Sequence, residues 1–405
     1  MRRFIPLMLL LLLIPVMAAA ETTITITFAG DVTLGGEDYL RSDPASFASV
    51  YQEKGPEYFL ANFADFFAED DLTVVNLEGV LTDNDELEHM DKGKGTSAGD
   101  GYWFRGRTEY VKVLTSASVE AVSLANNHTM DYGPVGIRDT IATLDGAGIE
   151  WFGTRDKHAD ETEKFLFYEK DGVTVAFVSL YWEDYLQGNP DGCGAWLSKE
   201  IDNLKKSGQA DAVVAILHGG QEYGRHRTRP QTVFTAMAMK AGADLVICHH
   251  AHVVMGMDVI GNRSAVYSLG NFCFGGNRNA YQLTPRKKTA AQDAAPALVV
   301  RAVLTFDDEG NYAGQQLSLY PVQTTSVDRN GGSEQPNDYQ PKFVTGPLAA
   351  HVLHLMQVDM NYDLKNKVNR ELKAFVVAEE KKLEAMESSD GMACITLPYL
   401  PAEAE

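Results

Sequence analysis

The 405-residue sequence is poor in cysteine and in positive charge, and it contains a single long apolar run. None of its four cysteines (Cys193, Cys248, Cys273, Cys394) falls in a C-x-x-C spacing, which leaves thiolate out of any metal-ligand set. Cys248 and Cys273 interrupt apolar runs and are expected as buried thiols, whereas a Cys193–Cys394 disulfide is allowed in an oxidising compartment but not required. Lys and Arg number 35 against 56 Asp and Glu, a formal net charge of −21. Charge-driven binding of nucleic acid or anionic membrane is therefore excluded, and an anionic substrate needs metal ions or local arginines to reverse the field.

The apolar run extends from Phe4 to Met17, behind Arg2-Arg3 and ahead of Ala18-Ala19-Ala20. It falls short of the roughly 20 residues that span a bilayer and has the layout of a secretory signal peptide cleaved after Ala20. No cysteine follows it to carry a lipid anchor, and nothing later is long and apolar enough to span. The expected protein is exported, to the periplasm or the cell exterior and envelope. A composition 45% hydrophobic and 10% aromatic excludes disorder.

What the sequence does contain is a series of short apolar runs that each stop at a polar cluster. Thr22–Phe28 alternates as a half-buried strand and reaches Gly30-Asp31; Leu72–Val75 reaches Asn76-Leu77-Glu78. Glu120–Leu124 leads to Asn126-Asn127-His128 with Asp131 close behind, and Ala212–Leu217 stops at His218. Ala243–Ile247 ends in His249-His250-Ala251-His252. In an extended segment alternate side chains share a face, so His250 and His252 are expected to converge while His249 faces elsewhere. Helical patterns lie between these runs, at Pro56–Asp70, Thr108–Ser116, from Pro134 to the glycines 146 and 148, Ser198–Lys206 and Gln231–Ala241. This alternation implies an α/β core whose ligands collect beyond the carboxyl ends of the strands. Val299–Phe306 and Gln315–Tyr320 read as a late antiparallel pair, and Pro347–Met386 as one or two amphipathic helices.

Asp31, Glu78, Asn127, His218, His250 and His252 thus form one candidate ligand set. Carboxylate, amide oxygen and imidazole together suit Mn²⁺, Fe or Zn²⁺, and two such ions would bind a phosphate-like group and activate water. His128, beside a ligand yet able to titrate, is the candidate proton donor. The basic run Arg225-His226-Arg227-Thr228-Arg229 is a local exception in an acidic chain, so Arg225, Arg227 and Arg229, with Asn126, are candidates for holding an anionic substrate.

The ordered motifs Gly30-Asp31, Asn76-Leu77-Glu78, Ala125-Asn126-Asn127-His128 with Asp131-Tyr132-Gly133, His218-x-Gly220-x-Glu222-Tyr223, His249-His250-x-His252 and Tyr267-Ser268-Leu269-Gly270-Asn271-Phe272 resemble those of the CapA family. That family is associated with bacterial capsule and poly-γ-glutamate synthesis, and its fold is similar to calcineurin-like metallophosphoesterases. The resemblance covers Ile24 to Phe274. It implies a layered α/β/β/α metallophosphoesterase-like sandwich, here with a C-terminal helical extension. It also implies Asp31 and His252 on a first metal, Asn127, His218 and His250 on a second, Glu78 as the bridging carboxylate and His128 as the catalytic histidine. The sequence departs from the pattern at Thr33, where the wider superfamily has a ligand histidine. Gly219 stands in place of an aromatic, Cys248 of a glycine and Ala251 of a proline.

The expected organisation is a signal peptide over residues 1–20, the CapA-like domain over 21–322, a linker over 323–345 and a helical segment with tail over 346–405. Two functions are open. One is a metal-dependent hydrolase of a phosphoester or a polymer amide bond, acting in exopolymer synthesis. The other is a non-catalytic component that binds metal or polymer within the synthesis and export machinery, among other envelope proteins.

Overall fold

The computed structural model describes residues 21–90, 102–153, 165–182, 190–276, 295–325, 336–360, 366–386 and 391–401. The expected signal segment, residues 326–335 of the expected linker and residues 91–101 lie outside these. β1 (Thr22–Thr33) runs through the larger of two facing sheets, flanked in parallel by β2 (Leu72–Leu77), then β3 (Ala121–Ser123) and β4 (Glu150–Phe152). The smaller sheet opens with a hairpin of β5 (Leu166–Lys170) and β6 (Val173–Tyr181), turning at Asp171-Gly172. β7 (Ala212–His218) and β8 (Leu245–His249) continue it in parallel, and β9 (Met257–Ile260) and β10 (Arg263–Val266) close its other edge. The chain then returns to the larger sheet as β11 (Asn271–Phe274), parallel to the end of β1, and as the long antiparallel pair β12 (Pro296–Phe306) and β13 (Tyr312–Gln323).

Alternation in β1 decides which residues lie between the sheets. Ile24, Ile26 and Phe28 point inward with Val74, Phe152, Phe177, Val214, Ile216 and Ile247. Burying one such side chain contributes about 1.5–3 kcal/mol, so the shared core fixes the register of both sheets. Helices cover the outer faces. α1 (Phe47–Lys54) and α2 (Gly133–Ala147) pack on the larger sheet; α3 (Pro190–Lys206) and α4 (Arg229–Ala241) pack on the smaller. This is the layered α/β/β/α sandwich expected from the motifs. α4 shows how local sequence sets a boundary: Thr228 caps it in a reciprocal box with Gln231, Pro230 opens its first turn and Gly242 ends it in a left-handed conformation. By contrast, the helices expected over Pro56–Asp70 and Thr108–Ser116 form as short 3₁₀ and α turns. Phe59, Phe63 and Phe67 are buried there, so packing rather than helix propensity shapes the first of these segments.

The C-terminal helical extension consists of α5 (Gly346–Asp359) and α6 (Lys367–Glu384). Val352, Leu353 and Met356 of α5 and Leu372 and Val376 of α6 belong to the same inter-sheet core as Ile24. Among the described residues no helix is long and apolar enough to cross a membrane. The four cysteines are free thiols, Cys193 buried and Cys394 exposed, so no disulfide joins them.

Candidate metal centre

Because β1, β2 and β3 run parallel, their carboxyl ends meet at one edge, and β7 and β8 end opposite them. Register does the rest: Asp31 on β1 lies beside Asn76 on β2 and beside Asn271 on β11, while His218 on β7 lies beside His249 on β8. Asp31 can take this position because Gly30 has no side chain; a Cβ there would sit 2.0 Å from the carbonyl oxygen of Gly270, to which the Asp31 amide donates at 3.0 Å.

Two groups of ligand-type side chains meet at Glu78, with donor atoms within 4.8 Å of one another: Glu78 with His218 and His250, and Glu78 with Asp31 and His252. Asn127 joins the first group, its Oδ1 standing 2.8 Å from His218 Nε2, which is 3.1 Å from His250 Nδ1. All six expected ligands therefore converge. Both Glu78 oxygens and Asp31 Oδ2 are buried and lack a hydrogen-bond partner among the described residues. Three carboxylate oxygens left bare among imidazoles fit a cation, since buried charge without a partner costs several kcal/mol.

Protonation is divided accordingly. Burial, reinforced by the Asp31 carboxylate, pushes Glu78 well above the usual carboxylate range. Burial acts the same way on Asp31, but the hydrogen bond from His249 and the nearby His252 imidazole outweigh it and hold that acid well below its usual value. Burial pushes His250 down to about 3 and His218 well below its usual value, so both are neutral imidazoles, the form that ligates metals. His252 goes the other way, up to about 10, because Glu78 and Asp31 overcome the effect of burial.

The convergence of His250 and His252 does not follow from strand alternation. β8 ends at His249, and His250 and His252 adopt positive φ angles of 89° and 56°. Such backbone costs about 1–3 kcal/mol per residue and persists where the surroundings hold it, here the hydrogen bonds of the two rings. His249 likewise departs from expectation. It does not face elsewhere: its Nδ1 lies 2.9 Å from Asp31 Oδ1. Asn76 donates to that same oxygen at 2.8 Å, and Asn271 Oδ1 lies 2.8 Å from His252 Nδ1. The sequence gives neither asparagine a role by itself, although parallel register between strands that end in polar residues pairs Asp31 with both.

His128 stands at the rim. Its Nε2 lies 3.9 Å from Glu78 Oε1, and its Nδ1 lies 2.7 Å from Asp131 Oδ2, which also accepts from the Phe104 amide at 2.6 Å. The Phe104 ring stacks on the imidazole with centroids 4.2 Å apart. The i, i+3 spacing of His128 and Asp131 signals the pair in the sequence; nothing there signals Phe104.

The candidate substrate contacts are placed differently. Asn126 donates to Asn76 Oδ1 and the Leu77 carbonyl and accepts from the His128 amide and the Thr129 hydroxyl, so it shapes the loop that presents Asn127 and His128. Arg227 is buried, bonded to Asp359 and Asp258 and stacked 3.6 Å from the Tyr267 ring centroid. Its charge is used inside the protein, whereas Arg225, His226 and Arg229 of the basic run are exposed. Thr33 is not turned to the centre; its hydroxyl donates to the Glu78 carbonyl at 2.8 Å. At Gly219 the space that an aromatic would need is taken by the indole of Trp182, 2.5 Å from where a Cβ would lie.

Comparison with known proteins finds relatives of this chain. The capsule biosynthesis protein CapA of Bacillus anthracis is 28% identical over 275 residues, and the PGA biosynthesis protein CapA of Bacillus subtilis 26% over 267. These alignments cover 64% and 63% of this chain and 62% and 64% of the relatives, so the chain spans under two thirds of the length of either. Among solved structures, an NAD nucleotidase of Haemophilus influenzae is 11% identical at a TM-score of 0.39, covering 90% of this chain and 61% of its own. Residues 25–276 match the family described as bacterial capsule synthesis protein PGA_cap. Since that span runs from β1 to the turn after β11 and contains every converging side chain named above, the chain belongs to the PGA_cap family of bacterial capsule synthesis proteins.

Proposed function

We propose that the protein is an exported, metal-dependent hydrolase that acts on a phosphoester or on an amide bond of an anionic exopolymer such as poly-γ-glutamate. The observation that carries this reading is Glu78, a fully buried acid whose two bare oxygens lie between two imidazole-bearing groups. Asp31, Glu78 and His252 would hold one divalent ion, and Glu78, Asn127, His218 and His250 a second, of manganese, iron or zinc. Such ions, when bound, supply Lewis acidity that lowers the pKa of water and offsets charge on the substrate. The chain's own part is to place a proton. Asp131 fixes the His128 Nδ1 side, leaving Nε2 toward the centre to protonate the leaving group, while Phe104 shields one ring face. Arg225 and Arg229 would draw an anionic chain to the rim.

A second reading, a binding component without turnover, is favoured by Thr33, whose side chain is spent on the Glu78 carbonyl where a further ligand would complete the first site. Elemental analysis of the purified protein, followed by hydrolysis assays on phosphomonoesters, phosphodiesters and poly-γ-glutamate with Mn²⁺, Fe²⁺ or Zn²⁺, separates the two. Turnover that His128→Ala removes while the metal content stays supports the hydrolase. A metal-loaded protein inert on every substrate, binding polymer equally well with and without His128, leaves the binding component.

A further inference from the structure

We infer that His249 is a positioning residue for the Asp31 carboxylate, turning its Oδ2 toward the cation by occupying its Oδ1. The inference rests on the proposed metal centre and concerns a residue outside both ligand groups. Oδ1 of Asp31 has two neighbours at hydrogen-bond distance, His249 Nδ1 at 2.9 Å from the smaller sheet and Asn76 Nδ2 at 2.8 Å from the larger. Oδ2 is buried without a hydrogen-bond partner, with His252 Nδ1 3.4 Å away. One oxygen is thus saturated from both sides and the other kept for a ligand. Asn76 is itself held, because Asn126 donates to its Oδ1 at 3.1 Å.

The arrangement also explains why His249 closes β8 while the ligands His250 and His252 follow in the turn. As the last residue of a strand in register with His218, its backbone is fixed by the sheet, and its ring reaches across to the opposite sheet, where Asp31 lies near the end of β1. Thr33 supplies no side chain to the centre, so the Asp31 site has fewer groups to orient it and depends more on the partners of Asp31 itself.

Outer partners of this kind typically change metal affinity 10- to 100-fold when removed. The test is Mn²⁺ binding to the full chain by calorimetry and electron paramagnetic resonance, with wild type, His249→Ala, His249→Asn and His249→Gln compared. The amide nitrogen of Asn falls where imidazole Nδ1 lies, whereas that of Gln projects further. His249→Ala should lose about 10- to 100-fold in affinity at one site and leave the other near wild type. His249→Asn should restore most of the loss and His249→Gln should not. If His249→Ala fails to fold, judged by its melting curve without metal, the comparison of Asn with Gln decides. Equal affinities in all four proteins, or Asn and Gln equally weak, overturn the positioning role while the metal centre stands. Wild type that takes up no Mn²⁺ overturns the centre and this inference together.

Discussion

His218 Nε2 lies 3.8 Å from Glu78 Oε1. That distance is too long for a hydrogen bond and short enough for one cation to touch both atoms, since ligand bonds to a divalent metal are about 2.0–2.2 Å. Without a cation, Glu78 carries its burial alone. Its pKa is raised, so its contribution to stability is present below about pH 4.5 and is lost as pH rises toward the folded value. Glu78→Gln should therefore melt higher than wild type in chelator, with the difference growing from pH 5 to pH 8. It should also gain little from Mn²⁺, which stabilises wild type more as pH rises. Melting curves with and without metal at the two pH values check both signs; a variant that melts lower than wild type in chelator at pH 8 would count against the bare-acid argument.

The strands and the six converging candidate ligands are legible in the sequence because each apolar run stops at a polar residue, and parallel strands bring such stops to one edge. The place of His249 is not, since alternation holds only while the chain stays extended and β8 ends at that residue. The burial of Arg227 is hidden from the sequence for a related reason. A basic run reads as a surface patch, but its partners Asp258 and Asp359 lie 31 and 132 residues away and cannot be linked to it from local pattern. The short turns over Pro56–Tyr58 and Ala64–Phe67 are a further case: their aromatic spacing suits a helix, yet the rings are placed by tertiary packing.

The His128–Asp131 pair should behave as a unit. Asp131→Asn keeps the shape but weakens the hold on Nδ1, so a rate measured on any accepted substrate should fall by about 10²–10⁴-fold, the range for general acid–base groups. Bound metal should change little, because neither residue belongs to the two ligand groups. Rate and metal content measured on one preparation test this, and a parallel loss of both would show that the pair supports the ligands instead.

Gly30→Ala should damage the centre from behind. The new Cβ would lie 2.0 Å from the Gly270 carbonyl oxygen, which is backbone and cannot swing aside. β11 must then part from β1, shifting Asn271 and the hydrogen bond that seats Asp31. Overpacking of this kind costs about 1–3 kcal/mol. Urea unfolding should show that loss, and Mn²⁺ affinity should fall with it, whereas Gly146→Ala, where a Cβ meets nothing within 4 Å, should be neutral or stabilising.

Asp359 ties the C-terminal extension to the loop that follows His218. Its Oδ1 accepts from the Arg227 amide at 2.7 Å, and its Oδ2 accepts from Arg227 Nε at 2.9 Å and from the Gly256 amide at 3.0 Å, all in a buried setting. Removing the acid leaves a buried guanidinium that keeps Asp258 and strips two backbone amides of their acceptor. Breaking a buried pair in this way typically costs about 3–5 kcal/mol. The exposed pair Lys206–Asp202, 2.8 Å apart on α3, is a control in which loss of the acid should cost about 0–1 kcal/mol. Asp359→Ala should thus lower the urea midpoint several times more than Asp202→Ala does. Because Gly256 and Arg227 flank the loops bearing His250, His252 and Tyr223, it should weaken Mn²⁺ binding as well. Equal midpoints for the two variants would mean that the extension contributes no more than a surface ion pair, and that the histidine turn stands without it.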